Sequence, residues 1–192
     1  MKKNRYIIIL LLLINFLNAQ EQIVDYCYEP LSLNDFENKY FKDTDNDFAP
    51  FIGTWKFVEN NKTFIVTLWK EQHVSFNGVF TGLYKDQIFG DWKMIENEGM
   101  LNENILYNSY HYVGNGQYFP PTISGGGSCD GIHFSSLIMD NCIDNGFIKN
   151  GILKFTITSS NTAHWYIKSL NGMQIENAPN FMIPTDIILT KQ

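Results

Sequence analysis

Positive charge is scarce in this 192-residue chain: 14 Lys and Arg stand against 20 Asp and Glu, giving a net charge of −6 with His neutral. A chain of that sign does not favour phosphate backbones, which argues against nucleic acid as a partner. It also has no basic amphipathic helix for an anionic bilayer. Histidine is sparse as well. His73, His111, His133 and His164 show neither the i, i+4 spacing of a helical zinc site nor a flanking Cys-x-x-Cys, so no metal is expected. Phosphate loops and dinucleotide fingerprints are missing, and no cofactor is implied. The one unbroken apolar run, Ile7 to Ile14, is too short to cross a bilayer.

That run has a different use. Lys2, Lys3 and Arg5 precede it and Leu17-Asn18-Ala19 ends it on a small residue, so residues 1–19 read as a secretory signal peptide. Its removal leaves 11 basic residues against 20 acidic ones, a net charge of −9, on an exported domain, periplasmic or extracellular, with no transmembrane segment. Export makes a disulfide feasible. Of the three cysteines, Cys129 and Cys142 would close a short loop and are the preferred pair. The alternative joins Cys27 to one of them, and an odd cysteine remains either way.

What the mature chain has in quantity is period-two alternation. In Phe51-Ile52-Gly53-Thr54-Trp55-Lys56-Phe57 the aromatics Trp55 and Phe57 share one face, Asn60-Asn61 makes a turn, and Phe64, Val66 and Leu68 resume the pattern on a partner strand. Gln87 to Ile95 puts Ile88, Gly90, Trp92 and Met94 on one side, and Leu101 to Tyr107 follows after an Asn97-Glu98-Gly99 turn. Ile132 to Met139, Gly151 to Ser159, Ala163 to Leu170 and Thr185 to Lys191 complete the count at about eight strands, a number that closes into a barrel. Residues 20–50 form a lead-in whose Ser32 and Asp35 predict one short helix over Leu33 to Phe41. The fold class is therefore an all-β, antiparallel, lipocalin-like barrel over residues 51–192 with one short N-terminal helix.

Two stretches look chemical without a reaction to match. Asp43, Asp45 and Asp47 alternate as in a calcium loop, but Phe48 and Thr54 stand where glycine and a bidentate glutamate are needed, so they read as a solvated acidic turn. Ser128-Cys129-Asp130-Gly131 lacks the Gly-x-Ser-x-Gly frame and a base beside Ser128. No catalytic residue is assigned. Asn108 to Gly131 breaks the strand pattern with Tyr110, Tyr112, Tyr118 and Phe119 among Gly114, Gly116, Pro120, Pro121 and Gly125-Gly126-Gly127, a long loop whose aromatics suit a recognition surface or, more in keeping with a packed domain, a loop folded back onto a hydrophobic rim.

The Gly53-Thr54-Trp55 opening and the closing Ile187-Ile188-Leu189-Thr190-Lys191 resemble the lipocalin and wider calycin group. The resemblance implies that a basic side chain near the last strand packs across the early tryptophan, with Lys191 standing where lipocalins usually carry arginine. The Tyr40-Phe41-Lys42-Asp43 segment, Gly90-Asp91-Trp92 and Ile183-Pro184-Thr185-Asp186 are similar to a family of exported proteins, mostly of Bacteroidota, whose function is unknown; it brings no site residues. The functional expectation is a binding module for a small apolar or amphipathic ligand. Trp55, Phe57, Trp92 and Trp165 would line or plug its interior, and Tyr110, Tyr112, Tyr118 and Phe119 would guard the entrance. The alternative is a non-catalytic domain with a solid barrel whose surface binds an unknown protein.

Overall fold

Strands that bury one face and wet the other close on themselves when the sheet is long and twisted enough. The computed structural model describes residues 21–28, 36–75, 82–109, 121–140, 149–170 and 180–192. Eleven strands run β1 (Gln22–Asp25), β2 (Lys39–Lys42), β3 (Gly53–Glu59), β4 (Lys62–Ser75), β5 (Tyr84–Glu96), β6 (Asn104–Asn108), β7 (Ile123–Gly127), β8 (His133–Asp140), β9 (Lys149–Ser159), β10 (Thr162–Ser169) and β11 (Asp186–Lys191). Eight of them, β3, β4, β5 and β7 to β11, pair antiparallel in chain order. The ring closes twice, β11 on β3 and β7 on β5. Among the described residues no helix is long and apolar enough to cross a membrane.

The expected strand count holds, but one member differs. The strand expected over Leu101 to Tyr107 appears as β6, which among the described residues pairs only with the C-terminal part of β5, from Lys93 to Glu96. The ring member is β7, inside a stretch whose glycines argue against a regular strand. Its glycines are there for space: a Cβ on Gly126 would lie 2.0 Å from Phe134 Cε2, and one on Gly127 would lie 2.1 Å from Tyr26 Oη. The expected helix over Leu33 to Phe41 also gives way, because Lys39–Lys42 is strand β2, parallel to both β1 and the start of β5. Residues 33–35 lie outside the described residues, as do residues 1–19, where a signal peptide is expected, and Cys142.

The disulfide is corrected in the same region. Cys27 bonds Cys129, with Cα atoms 5.5 Å apart and a sequence separation of 102. Chain distance favoured Cys129 with Cys142. The fold overrides it because β1 lies along β2 and carries Tyr26 against Gly127, which sets Cys27 beside the β7–β8 turn.

Side chains fill the barrel. Trp55, Val66, Ile88, Ile123, Ile138, Leu153, Phe155, Trp165 and Leu189 are fully buried, and Phe64, Leu68, Trp92 and Phe134 are nearly so. Rings meet edge to face, with Trp55 on Phe155 at 5.0 Å and Phe64 on Trp165 at 5.4 Å. At one end residues 43–52 fold beneath the barrel and drive Phe48 and Phe51 into it. There the Lys191 ammonium lies 5.1 Å over the Trp55 ring and donates to the Pro50 carbonyl at 2.7 Å, the packing that the lipocalin resemblance implied.

Gly126→Ala is expected to cost about 1–3 kcal/mol in urea unfolding through overpacking. Phe134→Leu combined with it should cost less than the two single changes added together. Additive costs would mean that the Phe134 ring does not occupy the space above Gly126.

Candidate functional site

The two ends of the barrel differ. Strands β3, β9 and β11 bring Trp55, Phe155 and Leu189 to the end that residues 43–52 seal. At the other end the β3–β4 and β5–β6 turns gather with the segment leading into β11. We call this the loop end. Phe57, Leu106, Tyr107, Phe181 and Ile187 pack on the core from that side and stay only half-buried. The approach to β11 folds over the opening: Met182 donates its N–H to buried Asp140 Oδ2 at 2.6 Å, and Pro184 accepts the Trp165 indole N–H at 2.8 Å. Gly151 leaves the space that Phe181 and Ile167 use, since a Cβ there would lie 2.9 Å and 2.7 Å from them.

The predicted interior residues therefore divide. Trp55, Trp92 and Trp165 are core side chains, 0%, 1% and 0% exposed, and Phe57 reaches the loop-end rim. The Trp92 indole N–H is buried without an acceptor among the described residues, whereas Trp55 donates to the Phe51 carbonyl at 2.8 Å. Tyr110, Tyr112, Tyr118 and Phe119 lie outside the described residues. Their flanks are placed: Ser109 bonds the Trp92 backbone through its N–H at 2.9 Å and its hydroxyl at 2.6 Å, and Ile123 pairs with Gly90.

A buried charge network escaped the sequence reading. Asp43, read as part of a solvated turn, is 8% exposed, and Asp86 is fully buried. Lys70 bridges them, 2.9 Å from Asp43 Oδ2 and 3.0 Å from Asp86 Oδ2. Tyr40 donates its hydroxyl to Asp86, and the backbone N–H groups of Asp43 and His73 add bonds of 3.2 Å each. Burial alone would raise the Asp86 carboxyl, but the hydrogen bonds from Tyr40, Lys70 and these N–H groups outweigh it and hold the pKa below its ordinary 3.8. Burial first, then the Asp86 carboxylate, pushes the Tyr40 phenol well above its usual range. Every charged member has a partner. The network therefore ties β2 and the acidic turn to β4 and β5 rather than presenting a reactive group.

The Ser128 turn is equally self-satisfied. Ser128 is buried, and its hydroxyl donates to Asp130 Oδ1 at 3.2 Å. Asp130 accepts the N–H groups of Ile132 and His133 at 2.8 and 2.7 Å and the His133 Nδ1–H at 2.7 Å. The bonds from His133 first, then from Ile132, hold its carboxyl well below the usual range. Among the described residues no three His, Cys, Asp or Glu side chains converge to hold a metal ion.

A family model described as a family of unknown function, DUF6705, matches residues 1–192. No curated protein and no solved structure matches the chain.

Lys70→Met should cost about 3–5 kcal/mol, because it leaves Asp43 and Asp86 buried without their cation. Asp86 is depressed in the folded state, so its contribution is complete above the unfolded pKa and is lost as pH falls through the folded value. Urea unfolding from pH 7 downward should show that loss below about pH 4, and Asp86→Asn should flatten it. An unchanged profile in the variant would remove Asp86 from the account.

Proposed function

The chain belongs to this family of unknown function, and from its own geometry we propose an exported, lipocalin-like binding module that holds a small apolar or amphipathic ligand at the loop end. One observation carries the reading. Phe57, Leu106, Tyr107, Phe181 and Ile187 form a half-buried apolar rim at the loop end, while Phe48, Phe51 and Trp55 are fully buried at the other. Soluble domains rarely leave such groups gathered around one opening without a use for them. Because Trp55, Trp92 and Trp165 fill the interior, they serve as the floor, and the ligand rests on them near the mouth. Tyr110, Tyr112, Tyr118 and Phe119, which lie outside the described residues, are the expected guards of the entrance in this reading.

Export rests on the basic start and apolar run of residues 1–19, which form a signal peptide in this reading. The Cys27–Cys129 bond fits an oxidising compartment. A second reading, a non-catalytic interaction domain with a solid barrel, draws on the same packed core: an interior filled by tryptophan and phenylalanine leaves the outer surface to do the binding.

Native mass spectrometry of protein isolated from its own host separates the two. The ligand reading expects an adduct of small-molecule mass that is lost on denaturation and reduced in Phe57→Asp and Tyr107→Asp. A bare protein mass in several preparations would overturn it in favour of the solid-barrel reading.

A further inference from the structure

Outside the barrel wall, near the sealed end, the outer faces of β8 and β9 form a groove beneath the Ser128–Gly131 turn. It encloses about 520 Å³, against about 300 Å³ for the groove over β3 and β11 and about 220 Å³ for the one over β4 and β5. Phe134 and Phe155 point inward, so the alternate residues His133, Ser135, Lys154 and Thr156 face out. The register sets His133 opposite Thr156 and Ser135 opposite Lys154. His133 and Lys154 are thus diagonal neighbours on one face, about 7–8 Å apart. A molecule of the size of a single sugar ring can touch both.

The polar groups divide by role. Asp130 Oδ2 takes the Nδ1–H of His133 at 2.7 Å, which orients the ring. With Nδ1 held by Asp130, Nε2 is the ring atom left to hydrogen-bond a hydroxyl. Lys154 is exposed and has no ion-pair partner among the described residues, so its ammonium is a ready partner for a carboxylate. Ser135 and Thr156 place one hydroxyl beside each. We propose that this groove is a second binding site, for a hydroxylated carboxylic acid of sugar-acid type. Its carboxylate sits on Lys154 and Ser135, and a hydroxyl donates to His133 Nε2. The site lies on the outer wall at the opposite end from the proposed mouth, so it stands or falls independently of that reading.

The test uses the full mature protein with D-glucuronate as probe and glucose and acetate as controls. Glucose lacks the anion and acetate lacks the hydroxyls. Glucuronate should give saturable shifts of the His133 imidazole and of the Ser135 and Thr156 amides in NMR titration. Glucose should bind about tenfold or more weakly, matching the loss of one charge-assisted hydrogen bond, and acetate about fivefold more weakly, matching the loss of a neutral one. Lys154→Gln and His133→Gln should each weaken glucuronate by about the same factor while leaving the remaining spectrum unchanged, and Lys168→Gln on β10 should have no effect. Glucose or acetate binding as tightly as glucuronate would overturn the proposal. So would an unaffected Lys154→Gln variant, or shifts that stay linear with concentration.

Discussion

A single indole holds the ring of strands shut. The first and last strands of the barrel share only two register pairs, Thr190 with Lys56 and Lys191 with Trp55. The closure is therefore concentrated where Lys191 lies over the Trp55 ring and reaches the Pro50 carbonyl. Trp55 returns its own N–H to the Phe51 carbonyl at 2.8 Å. A desolvated ammonium over an indole contributes on the order of 2 kcal/mol, and each hydrogen bond about 1 kcal/mol more. Those amounts matter because they act at the seam. Further along, the outward-facing Val58 and Ile188 are exposed at 59% and 51% and add no apolar cover to the seam.

From this anchor the asymmetry of the molecule follows. Residues 43–52 are drawn under the barrel by the carbonyls that Lys191 and Trp55 engage. That placement buries Phe48 and Phe51 and brings Asp43 to Lys70. The Cys27–Cys129 bond then fixes β1 against the β7–β8 turn on the same side. Seal, charge network and disulfide all lie at one end, and Phe57, Tyr107 and Phe181 stay half-buried at the other. A barrel so filled has little interior to offer, so in the proposed readings binding falls at its mouth or its outer wall.

Much of this was legible in the chain before folding. The alternation from Thr54 to Leu68 and from Leu153 to Ile167 names its own inward residues, and the lipocalin resemblance implied that Lys191 packs on Trp55. The strand β7 could not be read, since Ile-Ser-Gly-Gly-Gly looks like a loop until Phe134 and Tyr26 are packed against its glycines. Nor could the network, whose members Tyr40, Asp43, Lys70 and Asp86 share no spacing and meet only because β2 pairs in parallel with the start of β5. At the candidate site the tryptophans were visible as interior residues. Their role as a floor depends on how completely they pack. The His133 groove depends on strand register, which a single strand does not carry.

The seam can be measured directly by native-state hydrogen exchange at the Gln192 amide, which donates across it to the Thr54 carbonyl at 3.0 Å. Strand ends ordinarily exchange within the fraying limit. If the barrel is locked through Lys191 and Trp55, this amide should exchange as slowly as that of Phe155 in the middle of β9, and Trp55→Leu should release it first. Free exchange at Gln192 in the unaltered protein, with Phe155 still protected, would contradict the account.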